Sequence, residues 1–116
     1  MVDDERRKHA RYALWFPVRI GTGEKPEAIG VTRDASQAAI RVSAATKLEV
    51  GEHVTVSFTL PESEQEHRVE GTILRMEPNG DDPHGLWPYR ITVSFDKEVP
   101  ELEALLKEGI ARTKAP

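Results

Sequence analysis

Val54-Thr55-Val56-Ser57-Phe58-Thr59-Leu60 alternates large apolar and small hydroxyl side chains without a break. That is the period of two of a strand with one buried face, in residue types that fit a pleated surface. On the N-terminal side, Val50-Gly51-Glu52 reads as a tight turn, and Ile40 and Val42 begin an earlier strand. Further back, Ala28 to Arg33 is a short strand with Ile29 and Val31 on one face. Leu14, Phe16, Val18 and Ile20 form the first strand, separated from the next by a turn at Gly21, Gly23 and Pro26. Pro17 places that strand at an edge or on a bulge. On the C-terminal side, Pro61 to Glu66 is a charged loop, and Val69, Gly71 and Ile73 alternate again. Pro78 to Pro88 is a long loop rich in turn formers. Tyr89, Ile91, Val93 and Phe95 make the last strand. Leu102, Leu105, Leu106 and Ile110 then change to helical spacing, with Pro100 suited to a first helical turn and Gly109 predicting a frayed end. Six short strands with frequent turns predict a mainly β sandwich or small barrel, its open end or one face covered by the helix.

A length of 116 residues with 38% apolar content suits one core. The net charge of −4 is unevenly placed. Arg6, Arg7, Lys8 and Arg11 put four positive charges within six residues, so the remainder of the chain carries −8. A short cationic segment on an acidic body predicts a local anion site and argues against a nucleic-acid surface. Residues 1–12 are almost wholly polar and read as a flexible arm, with residues 13–113 as the folded domain. The absence of cysteine removes disulfides and thiolate chemistry and fits a reducing compartment. The first residues do not have the form of a secretory signal, no stretch has the length of a membrane span, and the expected location is the cytoplasm.

Two clusters carry the candidate chemistry: Arg7-Lys8-His9-Ala10-Arg11, preceded by Arg6, and Asp34-Ala35-Ser36-Gln37-Ala38-Ala39. Their order and spacing resemble the PilZ family, whose members bind the second messenger cyclic di-GMP. Arg7 and Arg11 match its Arg-x-x-x-Arg motif, and Asp34 and Ser36 match the first two fixed positions of Asp/Asn-x-Ser-x-x-Gly. The resemblance implies a six-stranded antiparallel β-barrel with a C-terminal helix over roughly residues 5–112. It also implies an arm that closes over the ligand against a barrel surface presenting Asp34 and Ser36, and in the family an arginine at the position of Arg6 accompanies binding of two stacked ligands. The chemistry is suitable. An arginine fork meets O6 and N7 of guanine bidentately, stacks on bases and pairs with phosphate. A carboxylate is the natural acceptor for the opposite guanine edge. Ala39 stands where the family has glycine. A left-handed backbone there would cost alanine about 1–2 kcal/mol, about tenfold in affinity. Extended backbone would cost nothing.

Other residues have plainer readings. Arg33, Arg41, Arg75 and Arg90 are candidates to line the cationic surface, but singly each reads as an ordinary exposed strand residue, and Arg41→Ala is expected to leave binding largely intact. Trp15 falls out of phase with its strand; it could stack on a base, but is expected to pack on a neighbouring loop or the helix. Trp87, beside Pro88, is expected to pin the long loop to the barrel. His9, His53, His67 and His84 have no metal-ligand spacing, and no metal, cofactor or catalytic group is expected. The expected function is a non-enzymatic cyclic di-GMP receptor that signals to a protein partner. The rival is a degenerate domain of the same fold that binds no nucleotide and serves only as a protein-interaction module, a reading that Ala39 favours.

Overall fold

The computed structural model describes residues 11–24, 26–60 and 64–114, with side chains to Ile110. Six strands, β1 (Pro17–Gly21), β2 (Ala28–Ala35), β3 (Ala39–Ala44), β4 (His53–Thr59), β5 (Glu66–Pro78) and β6 (Tyr89–Phe95), precede one helix, α1 (Pro100–Lys114). The strands close into an antiparallel barrel in the order β1-β2-β3-β6-β5-β4. Closure pairs β1 on both sides, with β2 and with β4. It is therefore not an edge strand. Pro17 is tolerated because it is the first strand residue.

The alternating residues supply the core. Val54, Val56, Phe58 and Leu60 point inward and are buried, facing Val18 and Ile20 of β1 and Ile91 and Val93 of β6. Phe16 and Phe58 pack with ring centroids 5.3 Å apart. Each such side chain contributes about 1.5–3 kcal/mol on burial. Gly51 has φ near +95°, which explains glycine in the tight turn before β4.

Strand β2 departs from its apparent pattern. Ile29 is exposed, while Ala28, Gly30 and Thr32 are buried. The Thr32 hydroxyl donates to the Phe16 carbonyl at 2.9 Å, which satisfies a polar group in the core. Between Thr32 and Asp34 the β2–β3 register slips: Thr32 pairs with Val42, but Asp34 pairs with Arg41 and Ala35 with Ile40. Arg33 is the extra residue of a bulge. A second bulge lies in β5, where Ile73 pairs with Val93 and Arg75 with Thr92, leaving Leu74 unpaired and exposed.

Helix α1 buries Leu102 and Leu106 in the common core. It runs through Gly109 rather than fraying there, and glycine at that position has a packing reason. A Cβ would come within 2.6 Å of the Leu14 side chain, so the helix and the segment before β1 approach closely. No helix among the described residues is long and apolar enough to cross a membrane.

Gly30 marks the tightest approach inside the barrel wall. A Cβ there would lie 2.4 Å from the Ser43 carbonyl oxygen and 2.6 Å from Val42 Cγ1. Gly30→Ala is expected to destabilise the domain by about 1–3 kcal/mol, read as a lowered denaturation midpoint with unchanged slope in urea.

Candidate functional site

The site is built on the hairpin joining β2 and β3. Its three connecting residues, Ser36 to Ala38, are folded by Ser36. The Ser36 amide donates to the Ala39 carbonyl at 2.9 Å, and its buried Oγ accepts from the amides of Ala38 and Ala39 at 3.1 and 3.2 Å. Ser36 thus shapes the hairpin from within. Ala39 is already a strand residue paired with Ser94. Its backbone is extended, so the penalty of a left-handed alanine does not arise.

Asp34 owes its position to the bulge at Arg33. Regular pairing would have left Asp34 on the inward side with Thr32. The extra residue turns its carboxylate to the outer wall, and Ala35 takes the inward place. There Asp34 is gripped by Arg41. The Arg41 Nε lies 3.0 Å from both carboxylate oxygens, and Nη2 donates to Oδ2 as well. This bond holds the Arg41 guanidinium above its ordinary pKa. Arg41 is therefore not the isolated strand residue that its sequence context suggested. Cross-strand adjacency to Asp34 depends on a register slip with no sequence signature.

The segment before β1 is tied to this hairpin. Tyr12 and Ala35 exchange backbone hydrogen bonds at 2.8 and 3.0 Å. Arg11 is thereby held one residue from a β-bridge to the middle of the Asp34–Ser36 motif. Arg6 and Arg7 lie outside the described residues. The arm, read as residues 1–12, has its root at Tyr12 docked on the barrel.

A third element reaches the same place. Glu103 of α1 accepts from the Tyr12 hydroxyl at 3.1 Å and from the Gln37 side-chain amide at 2.5 Å, and Lys107 lies 3.7 Å away. The Val99 amide, just before the helix, donates to the Gln37 carbonyl at 2.8 Å. One carboxylate thus joins the arm root, the hairpin tip and the helix. The Tyr12 hydrogen bond is the main influence holding Glu103 below its ordinary pKa. Partial burial and the facing carboxylate raise that of Tyr12.

Beyond Asp34, four arginines share one outer wall. Arg33, Arg41, Arg75 and Arg90 line a cleft of about 100 Å³ with Glu77 and Thr92. A neighbouring cleft, which shares Arg33, is flanked by Trp15 and Trp87. Trp15 is 69% exposed, against the expectation that it packs away. Trp87 is bonded through its backbone within the β5–β6 loop. Its amide donates to Asp82 Oδ2 at 3.0 Å, and its carbonyl accepts from the Asn79 side chain at 2.7 Å. At the end of the barrel, His53 meets Asp96 at 2.7 Å and Glu70 at 3.4 Å, an exposed group whose members are far apart in the chain.

The PilZ domain family matches residues 5–112, nearly the whole chain. The chain belongs to the PilZ domain family. Solved structures agree on the fold. The Bacillus subtilis inhibitor of motility, MotI/DgrA, is 22% identical with a TM-score of 0.69 over 93% of this chain, which spans only about half (51%) of that protein. The PilZ domain of YcgR from Escherichia coli, solved with c-di-GMP, is 15% identical with a TM-score of 0.66, covering 94% of this chain and 96% of that one. The PilZ domain of CeSA from a cellulose-synthesizing bacterium is 19% identical with a TM-score of 0.58, covering 90% and 93% of the two chains. No curated protein matches the chain at a significant level.

The PilZ arm root is expected to lose its clasp in acid. A carboxylate whose folded pKa is depressed contributes stability above its unfolded value, 4.5 for Glu103, and loses it as pH falls through the folded value. Tyr12→Phe removes the principal cause of that depression. It is therefore expected to lower the melting temperature at pH 7, with the difference from the parent protein shrinking as pH falls below 4.5. Thermal melts across that range check it.

Proposed function

We propose that this PilZ domain is a receptor for cyclic di-GMP, and that ligand binding orders the N-terminal arm and signals to a protein partner. The observation that carries this reading is the Tyr12–Ala35 bridge. It ties the residue that follows Arg11 to the residue between Asp34 and Ser36. This backbone link between the end of one motif and the middle of the other supports a ligand shared by both.

The roles follow from chemistry. Arg7 and Arg11 offer planar forks to phosphate oxygens and to O6 and N7 of guanine, with Arg6 as a further cation. Asp34, aimed outward and 15% exposed, is the acceptor for guanine N–H donors. Ser36 keeps the hairpin in the shape that presents Asp34, and Ala39 forms the wall beside it. Closure of the arm would be felt at Tyr12 and therefore at Glu103, which gives α1 a place in relaying occupancy to a partner. The role is that of a binding module rather than a catalyst, acting in the cytoplasm.

A second reading, a PilZ domain that binds no nucleotide and acts only as a protein-interaction module, is favoured by one observation: the Asp34 carboxylate is already engaged by Arg41. Isothermal titration with cyclic di-GMP separates the two. The receptor reading expects saturable binding, with Arg7→Ala and Arg11→Ala each weakening it at least tenfold and Arg19→Ala, on β1, leaving it unchanged. An equal loss in all three variants would point to general charge, and no heat in the parent protein would leave the interaction-module reading. Ligand at 100 times its dissociation constant is expected to add about 2.7 kcal/mol, a rise of roughly 10 °C in melting temperature.

A further inference from the structure

Both bulges of the barrel deliver a charged residue to the same outer wall. The slip at Arg33 turns Asp34 outward. The slip at Leu74 sets Arg75 opposite Thr92, where regular alternation would have sent it inward. Thr92 is also the partner of Arg41, so Arg41, Thr92 and Arg75 form one row across β3, β6 and β5. Arg90 lies in the next row, between Ser43 and Glu77. Directly opposed strand residues are about 5 Å apart, so the guanidinium groups converge on one cleft.

The cations of this cleft differ in how they are satisfied. Arg41 is held by Asp34. Arg90 donates to Asp81 at 2.5 Å and to Asn79 Oδ1 at 3.1 Å, and Arg33 reaches the same Asp81 oxygen at 3.8 Å. Asp81 belongs to the exposed β5–β6 loop, outside the barrel wall. Among the described residues, Arg75 has no hydrogen-bonding or ionic partner. Four guanidinium groups face one lining carboxylate, Glu77, and their two acidic partners, Asp34 at the end of β2 and Asp81 in the β5–β6 loop, lie at the margin of the cleft.

We propose that this wall is a second anion site, in which Arg75 receives a nucleotide phosphate while Arg41 and Arg90 exchange Asp34 and Asp81 for its oxygens. The exchange conserves charge-assisted hydrogen bonds. Each arginine trades a carboxylate for a phosphate of like geometry, and Asp34 is released as an acceptor for base N–H groups. The adjoining cleft between Trp15 and Trp87, joined through Arg33, offers aromatic faces of the kind that stack on a base. A nucleotide phosphate is thus a better match than a bare carboxylate. The inference extends the receptor reading, because it makes release of Asp34 part of ligand capture, and it removes Arg41 from the set of residues expected to be silent.

Two measurements test it. Arginine Nε–Hε NMR resonances are followed while pyrophosphate is added, a probe that needs no guanine. Shifts at Arg75, Arg41 and Arg90, absent at Arg19, are expected. Cyclic di-GMP affinity is then measured for Arg75→Ala and Arg75→Lys at low and high salt. Alanine is expected to weaken binding about tenfold, the scale of a lost charged hydrogen bond, and to flatten the salt dependence. Lysine is expected to recover part of both. If pyrophosphate leaves the arginines unmoved and Arg75→Ala binds cyclic di-GMP like the parent, the wall is not an anion site while the receptor reading stands. If pyrophosphate shifts the arginines but the parent binds no cyclic di-GMP, the wall stands and the receptor reading falls.

Discussion

In a closed antiparallel barrel each side chain points either into the core or out to solvent, and one inserted residue moves everything after it from one set to the other. Arg33 is such an insertion. It places Asp34 on the outer wall beside Arg41 and lets Ala35 fill the core. The rest of the site is arranged around that slip. The Tyr12–Ala35 bridge uses the backbone of the same bulged strand end, and Ser36 folds the hairpin that follows. Closure of the barrel leaves the strand little freedom to relax, because β2 is bonded on both sides.

Polar groups around the hairpin are thoroughly interlocked. Ser36 satisfies two amides of its own turn. Glu103 collects the Tyr12 hydroxyl and the Gln37 amide, so helix and arm root share one acceptor. Individually these are modest contacts, because most are partly exposed. Their importance is positional. They connect three stretches of chain, the segment before β1, the β2–β3 hairpin and the helix, that are distant in sequence.

The outer wall follows a different logic. Its arginines lie on neighbouring strands, with acidic partners at the end of strand β2 and in the exposed β5–β6 loop. Such pairs offset the repulsion between like charges on one wall. A cationic wall of this kind also explains how a protein with a net charge of −4 can present a surface suited to an anion. Net charge describes the whole molecule, and the site is governed by the few charges that strand register brings together.

Much of this was legible in the residues themselves. Alternation in Val54 to Leu60 and Tyr89 to Phe95 announced strands with one buried face, because a period of two admits no other packing. The spacing of Leu102 and Leu106 announced the helix, and the two short motifs announced the family. The rest depended on tertiary structure. Ile29 looked inward by alternation with Val31 but is exposed, because Ala28, Gly30 and Thr32 took the core side. Pro17 suggested an edge that closure abolished. Gly109 suggested fraying, yet it allows the approach of Leu14. Arg41 and Arg75 looked like scattered surface charges until two bulges placed them around Asp34 and Thr92. Local pattern reports the period of a strand, which depends on neighbouring side chains alone. Register, bulges and closure depend on which distant strand supplies the partner hydrogen bonds, and only the folded barrel decides that.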